Sequence, residues 1–291
     1  MAQRSEIDVS IVVPAYRADA TLAPCVESLL AQRFGGRFEV VVVANADEPD
    51  GLPALPPDPA LRVIPRTPRI PAAAARNLGV ACAQGSAIAF TDADVIAPPD
   101  WLERLTAART GDSCVAGSVA NGTPESVWGT VEYLVEFFDL SPARPHPPRH
   151  GATCNLLVPR AAWETHGPFP EWMGGCEDTL LTTRVRESGG LRFAPDAAVS
   201  HLNRQGVRAV LAHQRFKGAT HARLAVALGE VPAHPVANGL EATVRRVAYL
   251  YRRMAAWAPA ELGRALRLAP LVLAAFGAWG TGLIAESRRL R

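Results

Sequence analysis

The chain has 291 residues, of which 48% are hydrophobic, and a formal net charge of +2. A chain of this length can bury a large core, and it fits one sizeable α/β domain with an appendage. Its 30 basic residues are almost balanced by 28 acidic ones. This balance excludes a nucleic-acid binder that depends on neutralising phosphates. The charge is uneven, because residues 238–291 hold nine arginines and three glutamates, a local balance of +6 that leaves −4 for the remainder.

Strand-like and helix-like segments alternate through the first ninety residues. The β-branched run from Val9 to Tyr16 predicts a strand, and a helical pattern follows from about residue 21 to 32. Alternation of this kind favours a parallel sheet covered by helices on both faces. The further segments predicted in this part of the chain are strands at 38–43, 61–64 and 86–91 and a helix at 72–81.

Two carboxylates follow the last of these strands, in the run Phe90-Thr91-Asp92-Ala93-Asp94. Ligands of open α/β folds bind at the carboxyl ends of strands. Asp-x-Asp pairs also occur in solvated turns, so the pair gains its meaning from the strand before it. Hard oxygen ligands suit Mg²⁺ or Mn²⁺ carrying phosphates. The expected ligand is therefore a metal diphosphate.

An ordered set of motifs resembles the family 2 glycosyltransferases, which are inverting enzymes of the GT-A fold. The resemblance implies a Rossmann-like, mainly parallel sheet sandwiched by helices, a nucleotide-sugar donor and the Asp-x-Asp motif of this class. It covers residues 9 to about 217 in the family's order. The motifs are Ile11-Val12-Val13-Pro14-Ala15-Tyr16, Ala75-Arg76-Asn77-Leu78-Gly79, Phe90 to Asp94, Asn155 to Arg160, Gly175 to Leu181 with Arg184, and Ala194 to His201.

The resemblance implies roles for the acidic residues. Asp94 is expected to bind the metal directly, with Asp92 near the ribose or a metal-bound water. His201, at the end of a predicted strand, is a further candidate ligand, although a histidine at a strand end is more often structural. Asp178 is the expected general base, because a carboxylate at a helix amino end is held ionised. Glu177 is expected to support it.

Donor-binding roles follow from the same resemblance. Arg76 is expected beside the nucleotide, or alternatively solvated on a helix surface. The family's carboxylate that contacts uracil has no counterpart, because Ala44 stands there; either Asn45 or Asp47 substitutes, or the donor carries another base such as guanine or thymine. The other expected donor-binding residues are Pro14, Ala15, Tyr16, Asn77, Asp92 and, in a degraded form of the family's Gln-x-x-Arg-Trp segment, Arg215 and Lys217.

The carboxyl end differs in kind from the rest. Leu268 to Ala285 is uncharged and flanked by arginines, and the segment from Thr243 to Trp257 mixes arginines with aromatic and aliphatic residues. Such helices suit an anionic membrane surface, with spanning of the bilayer or packing on the catalytic domain as alternatives. We therefore expect a glycosyltransferase domain at 1–228 and a basic, partly apolar helical appendage at 229–291. Five scattered cysteines indicate reduced thiols, and the expected location is the cytoplasmic face of the cell membrane.

The predicted function is transfer of a sugar to a hydroxyl of a glycan or lipid-linked acceptor, in the manner of enzymes that build cell-envelope glycans. Two alternatives stay open. Ala44 and the altered Gln-x-x-Arg-Trp segment also fit a catalytically silent nucleotide-sugar binding protein. A nucleotidyltransferase has less support, because no Gly-rich basic loop follows the first strand.

Overall fold

The protein forms one mixed sheet of eight strands with helices around it. The computed structural model describes residues 7–48, 55–188, 190–230 and 234–291. The strand order across the sheet is β3-β2-β1-β4-β7-β6-β8-β5. The strands are β1 (Val9–Tyr16), β2 (Phe38–Asn45), β3 (Leu61–Arg66), β4 (Ala87–Thr91), β5 (Val95–Ile96), β6 (Cys114–Asn121), β7 (Asn155–Pro159) and β8 (Leu191–His201).

The sheet changes direction at β4. Strands β1 to β4 pair in parallel, which brings the carboxyl ends of β1, β2 and β4 to one edge. Strand β7 runs antiparallel to both β4 and β6, and β8 runs antiparallel to β5. The prediction of a parallel sheet therefore describes the first half of the sheet, whereas β7 pairs antiparallel with β4 and β6, and β8 with β5.

Helices cover the sheet and form a bundle at the carboxyl end. Helix α2 lies very close to β1 at Gly79. A Cβ added at this glycine would lie 2.5 Å from Val12 Cγ1, so the missing side chain allows the close approach. The helices are α1 (Leu22–Leu30), α2 (Ala72–Cys82), α3 (Trp101–Ala107), α4 (Val127–Glu136), α5 (Arg160–His166), α6 (Glu177–Glu187), α7 (Val207–Ala227), α8 (Pro235–Trp257), α9 (Pro259–Arg267) and α10 (Ala269–Arg289), with 3₁₀ turns at Phe138–Leu140 and Glu171–Met173.

An aromatic cluster anchors β4 in the core. Phe90 is fully buried and its ring centroid lies 5.5 Å from that of Trp163 and 5.3 Å from that of Phe169. Aromatic contacts of this kind add to the burial of apolar area. The strand that carries the acidic pair is therefore held firmly up to its last residue.

The chain divides into two compact units. The first comprises Met1–Val119 and His146–His201, and the second comprises Ala120–Pro145 and Leu202–Arg291. The sheet and the acidic pair belong to the first unit, whereas α4 and α7 to α10 belong to the second. The expected division into 1–228 and 229–291 stays a prediction about the family domain and its appendage.

Helix α10 contains most of the uncharged run seen in the sequence. Ala269–Arg289 is the one helix among the described residues that is long and apolar enough to cross a membrane, with a mean hydropathy of 1.3 in its apolar window. Core helices of soluble proteins can be equally long and apolar. In the second unit α10 packs most extensively on α7 and also contacts α8 and α4.

Candidate active site

The acidic pair lies in the turn between β4 and β5. Asp92 and Asp94 are both half-buried, and Ala93 between them is buried. The Cys25 thiol donates a hydrogen bond of 3.4 Å to the Asp92 carbonyl oxygen. Burial raises the pKa of the Cys25 thiol to about 12, so it remains a protonated donor. This hydrogen bond from Cys25 on α1 thus fixes the backbone of the turn.

Strand pairing brings His201 to this turn. His201 is the last residue of β8 and pairs with Val95, the residue after Asp94. Its Nε2 lies 3.4 Å from Asp94 Oδ1. One ligand atom from each of Asp92, Asp94 and His201 can be chosen so that all lie within 4.8 Å of one another. Two carboxylates and an imidazole are a donor set that suits a divalent ion such as Mn²⁺, so the residues present fit a metal.

Arg76 connects the acidic turn to α6. Its Nη2 lies 2.6 Å from Asp92 Oδ1, and its Nη1 lies 2.8 Å from Glu177 Oε1. The Arg76 side chain is 8% exposed and that of Glu177 is 6% exposed. Burial alone would lower the pKa of Arg76, but the negative charges of Asp92 and Glu177 outweigh it and raise this pKa above its ordinary value. Arg76 therefore remains charged between the two carboxylates.

The amino end of α6 carries the second pair of acids. Cys176 before it has a φ of 62°, a left-handed conformation that is uncommon for a residue with a side chain. Asp178 Oδ2 accepts a 3.1 Å hydrogen bond from the Thr153 backbone N–H, and Asp178 Oδ1 accepts one of 2.6 Å from the Thr179 N–H. Helix and neighbours thus fix the Asp178 carboxylate, while Glu177 contacts Arg76.

A polar cluster lies where β1 and β2 end. Tyr16 pairs with Asn45 across the two strands. Tyr16 Oη donates a hydrogen bond of 2.8 Å to Asp47 Oδ2, and Arg17 Nη2 donates one of 3.1 Å to the same oxygen. The hydrogen bond from Tyr16 and the nearby arginines lower the pKa of Asp47 below its ordinary value. Arg69 lies over the Tyr16 ring, 4.6 Å from its centroid.

Asn155 is a buried polar anchor beside the acidic turn. It pairs with Thr91 on β4, and its Oδ1 accepts a 2.8 Å hydrogen bond from Trp101 Nε1. Its Nδ2 donates to the carbonyl oxygens of Ser118 (2.8 Å) and Ala197 (2.7 Å). One amide thus joins β7 to β6, β8 and α3. This arrangement keeps the strand that ends at His201 in register.

A family model described as "Glycosyl transferase family 2" matches residues 10–165, which is more than half of the chain. The chain belongs to glycosyltransferase family 2. The resemblance seen in the sequence motifs is therefore confirmed.

Two curated relatives illustrate how this family 2 chain compares with others. Glycosyltransferase AglE of Haloferax volcanii is 29% identical over 204 residues, which cover 66% of this chain and 66% of the relative. A pre-mycofactocin glycosyltransferase of Mycobacterium tuberculosis is 32% identical over 216 residues, which cover 69% of this chain and 43% of the relative. The chain thus spans slightly less than two thirds of the first relative's length and less than half of the second's.

A solved structure supports the fold. A mannosyltransferase from Pyrobaculum calidifontis, in complex with GDP-Man and Mn²⁺, has a TM-score of 0.63 and 19% sequence identity, covering 97% of this chain and 88% of that chain. Likeness at this identity concerns the fold alone. The likeness confirms the expected α/β class. The family 2 chain has helices around its sheet and an apolar helix at its carboxyl end.

The structure brings together only some of the expected donor-binding residues. Pro14 and Ala15 lie in β1 opposite Val43 and Ala44, next to Tyr16. Asn45 is buried, and its Oδ1 accepts a 3.2 Å hydrogen bond from the Ile70 N–H. These residues line the same sheet edge as the acidic turn.

Two of the expected donor-binding residues have other partners. Both ends of the Asn77 amide bind the backbone of Phe169, at 2.9 and 3.0 Å. Arg76 is buried, so the alternative of a solvated surface arginine is wrong. Direct contact of either residue with a nucleotide stays a prediction.

Arg215 and Lys217 belong to the second unit. Lys217 Nζ lies 3.0 Å from Glu136 Oε1, so its charge is balanced by a carboxylate of α4. The Arg215 carbonyl lies close to Gly282 of α10. Their expected role towards the diphosphate stays a prediction.

Sequence reasoning missed Thr153, Asn155, Arg17 and Arg69. Asn155 opens the apolar run Leu156-Leu157-Val158, and a polar residue at the start of such a strand is the signal that could have found it. The position of Thr153 beside Asp178 depends on how β7 pairs with β4, and no local sequence pattern specifies this pairing. Arg17 has a φ of 50°, and its position beside Asp47 depends on this left-handed turn at the end of β1.

Proposed function

We propose that this protein is an inverting glycosyltransferase that moves a sugar from a nucleotide-sugar donor to an acceptor hydroxyl with the help of Mn²⁺ or Mg²⁺. The observation that carries the proposal is the grouping of Asp92, Asp94 and His201 at the end of β4, joined through Arg76 to the helix that bears Asp178. Glycosyltransferase names among the relatives agree with it.

The proposed reaction is a single displacement at the anomeric carbon. The acceptor oxygen forms a bond to this carbon while the bond to the donor's diphosphate oxygen breaks on the opposite face. The electron pair of the breaking bond leaves with the nucleoside diphosphate. Asp178 takes the acceptor's hydroxyl proton, and its two hydrogen-bonded oxygens keep it oriented for that task. Glu177 acts indirectly, by holding Arg76.

Asp94 and His201 are the residues best placed to hold the metal. Asp92 completes the set with the oxygen that Arg76 does not bind, since Arg76 contacts Oδ1. When bound, the metal supplies positive charge that stabilises the leaving diphosphate. Arg76 keeps Asp92 aimed towards the turn, and its buried charge prevents the carboxylates from repelling one another.

The donor's base is proposed to lie over the end of β1 and β2. Ala44 has no acceptor for a base N–H, so the base is proposed to reach the exposed Asp47 by displacing Arg17, which now donates to Asp47 Oδ2. Guanine presents two adjacent N–H donors on one edge, which suits a carboxylate such as Asp47. GDP-Man in the mannosyltransferase of similar fold makes guanosine donors the first to test.

The acceptor is proposed to be a glycan or lipid-linked hydroxyl, and the site of action the cytoplasmic face of the cell membrane. The name of a succinoglycan biosynthesis protein of Rhizobium meliloti, which is 41% identical over 100 residues that cover 34% of this chain and 28% of that protein, agrees with a glycan acceptor. The arginine-rich carboxyl end supports an anionic membrane surface.

Donor turnover by the purified full chain tests the proposal. UDP-, GDP- and dTDP-sugars are incubated with Mn²⁺, Mg²⁺ or EDTA, and release of nucleoside diphosphate is measured with the Asp94→Ala variant as control. We expect release from one class of donor that EDTA and Asp94→Ala abolish. Binding of a nucleotide sugar without any release, with glycan and lipid-linked acceptors present, would instead identify a silent binding protein.

The stereochemistry requires a second measurement. NMR of the product made from an α-linked donor should show a β-linkage, as a single displacement demands. A retained α-linkage would overturn the assignment of Asp178 as a base in an inverting reaction.

A further inference from the structure

The apolar helix α10 lies at the centre of a helical bundle, where it packs on α7, α8 and α4. Its buried side is closely fitted to α7, since a Cβ added at Gly282 would overlap the Arg215 backbone and one added at Gly218 would overlap the Trp279 backbone. Phe276 and Trp279 are buried. Insertion of α10 into lipid would have to break this packing.

A buried ion pair also holds α10 in the bundle. Glu286 has a side chain that is 10% exposed, and its Oε1 accepts a 2.8 Å hydrogen bond from Arg223 Nε on α7. Moving this carboxylate into hydrocarbon without its partner would be costly. The apolar run of α10 is therefore better explained by burial inside the second unit than by a membrane span.

Helix α8 presents an apolar side that the bundle does not cover. Its packed side meets α10, where Gly239 contacts Ile284 and Thr243 contacts Gly280. The neighbouring stripe, one turn apart along the helix, carries Val236, Leu240 and Val244, which are 41%, 60% and 68% exposed. Isolated exposed aliphatic residues are common, but three in one line on an amphipathic helix indicate a contact surface.

Positive charge borders this stripe. Arg245 and Arg252 are exposed on the adjoining side of α8, roughly a quarter to a third of a turn further round the helix from Val244. The whole segment 238–291 has nine arginines against three glutamates. Glu241 pairs with Arg245 and offsets its charge, and Glu286 pairs with Arg223 and Arg289. The excess positive charge therefore lies on the other arginines of the segment, of which Arg252 is exposed beside the stripe.

We propose that the stripe of Val236, Leu240 and Val244 docks the protein on an anionic lipid surface while α10 stays inside the bundle. This inference rests on the proposed membrane association and specifies the helix face responsible for it. Aliphatic side chains beside arginines match the boundary between acyl chains and anionic headgroups. A second copy of the chain is a poorer partner, because it would bring arginines of the same sign to the interface.

Flotation of the full chain with lipid vesicles tests the proposal. Vesicles contain either phosphatidylcholine alone or equal parts of phosphatidylcholine and phosphatidylglycerol. We expect binding to the anionic vesicles only, weakened by high salt. The double variant Leu240→Glu/Val244→Glu should bind them at least about tenfold more weakly, because both charges would enter the lipid boundary.

Matched variants separate the possible causes. Val127→Glu places the same charge at a 52% exposed valine on α4, and Leu273→Glu places it at a 53% exposed leucine on α10. Both should bind anionic vesicles like the unmodified chain. Leu240→Asn/Val244→Thr, which adds no charge, provides a second test if the glutamate variant unfolds in circular dichroism, and it should also weaken binding.

Each outcome has a distinct meaning. Loss of binding with Leu273→Glu but not with the α8 variants would overturn the inference and assign attachment to α10. An unmodified chain that ignores anionic vesicles would overturn the proposed membrane association with it. A dimer in ultracentrifugation that the α8 variants dissociate, without vesicle binding, would make the stripe a self-interface. Sugar transfer to a soluble acceptor is measured separately, so its failure would bear on the proposed reaction alone.

Discussion

Arg76 lies between Asp92 and Glu177, with one guanidinium nitrogen 2.6 Å from the first carboxylate and another 2.8 Å from the second. Asp92 follows the central strand β4, and Glu177 opens helix α6. The two elements that supply the metal candidates and the base candidate are therefore joined by one buried cation. Removing this cation would take away the positive charge that balances a buried carboxylate, which is the costly way to break an ion pair.

Arg76→Met should destabilise the protein. The expected loss in the free energy of unfolding is about 3–5 kcal/mol, because Glu177 would be left buried and charged. Urea denaturation measures it. Arg76→Met/Glu177→Gln should recover part of the loss, since the second change removes the stranded charge. Equal stability of Arg76→Met and the unmodified chain would contradict the buried network.

Asp94→Ala should abolish the response of the protein to Mn²⁺. The side chain lies in a turn after β4 and is 32% exposed, so its removal should leave the fold intact. Isothermal titration with Mn²⁺, with and without donor, measures the loss. Asp112→Ala removes an exposed carboxylate elsewhere in the first unit and serves as the matched control. Unchanged Mn²⁺ affinity in Asp94→Ala would move the metal site away from this turn.

Asp178→Asn should lower the rate of transfer by about 10² to 10⁴ and leave donor binding intact. Asparagine keeps the size of the side chain and can still accept a hydrogen bond from the Thr153 N–H, but it cannot take a proton from the acceptor. Initial rates and donor affinity are measured on the same preparation. A near-normal rate would assign the base elsewhere, and Glu177→Gln is the next variant to measure.

The sequence predicted the acidic turn because its signal is local. An apolar strand that ends in Asp92-Ala93-Asp94 can be read from adjacent residues, and the motif resemblance added His201 and Asp178. Pairing of β5 with β8 then explains how residues more than a hundred positions apart reach one turn. Such register is set by long-range packing and not by local pattern.

Other features were beyond the sequence for the same reason. The burial of Arg76 depends on the approach of α6 to the end of β4, so a helical pattern alone left it either solvated or at the nucleotide. By composition, the uncharged run in α10 favoured a membrane, with packing in a helical bundle as the alternative. The contacts of α10 with α7 and α8, which the sequence does not show, are the observation that supports the bundle.

Glu132 and Glu136 lie on successive turns of α4, and their contributions to the free energy of unfolding should change with pH in opposite directions. Burial opposes the charge of Glu136, but Lys217 and His213 outweigh it and hold the pKa of Glu136 well below its ordinary value of 4.5. Burial raises the pKa of Glu132, although Arg204 acts against this. Lys217 Nζ and His213 Nε2 lie 3.0 and 3.1 Å from the Glu136 carboxylate. These opposite shifts make the pair an internal control for each other.

Glu136→Gln should therefore lower the free energy of unfolding at pH 7 by roughly 1–3 kcal/mol. A lowered carboxyl pKa contributes stability that is present above the unfolded value near 4.5 and is lost as the pH falls through the native pKa. The variant and the unmodified chain should therefore begin to converge only as the pH falls below about 4.5. For Glu132→Gln the sign reverses: the raised native pKa means that the unmodified chain loses stability as the pH rises through it, so this variant should improve relative to the unmodified chain from pH 4 to pH 7. Urea denaturation at several pH values between about 2 and 8 measures both differences. Parallel pH profiles for the two variants would show that Lys217 and His213 of α7 do not distinguish the two carboxylates.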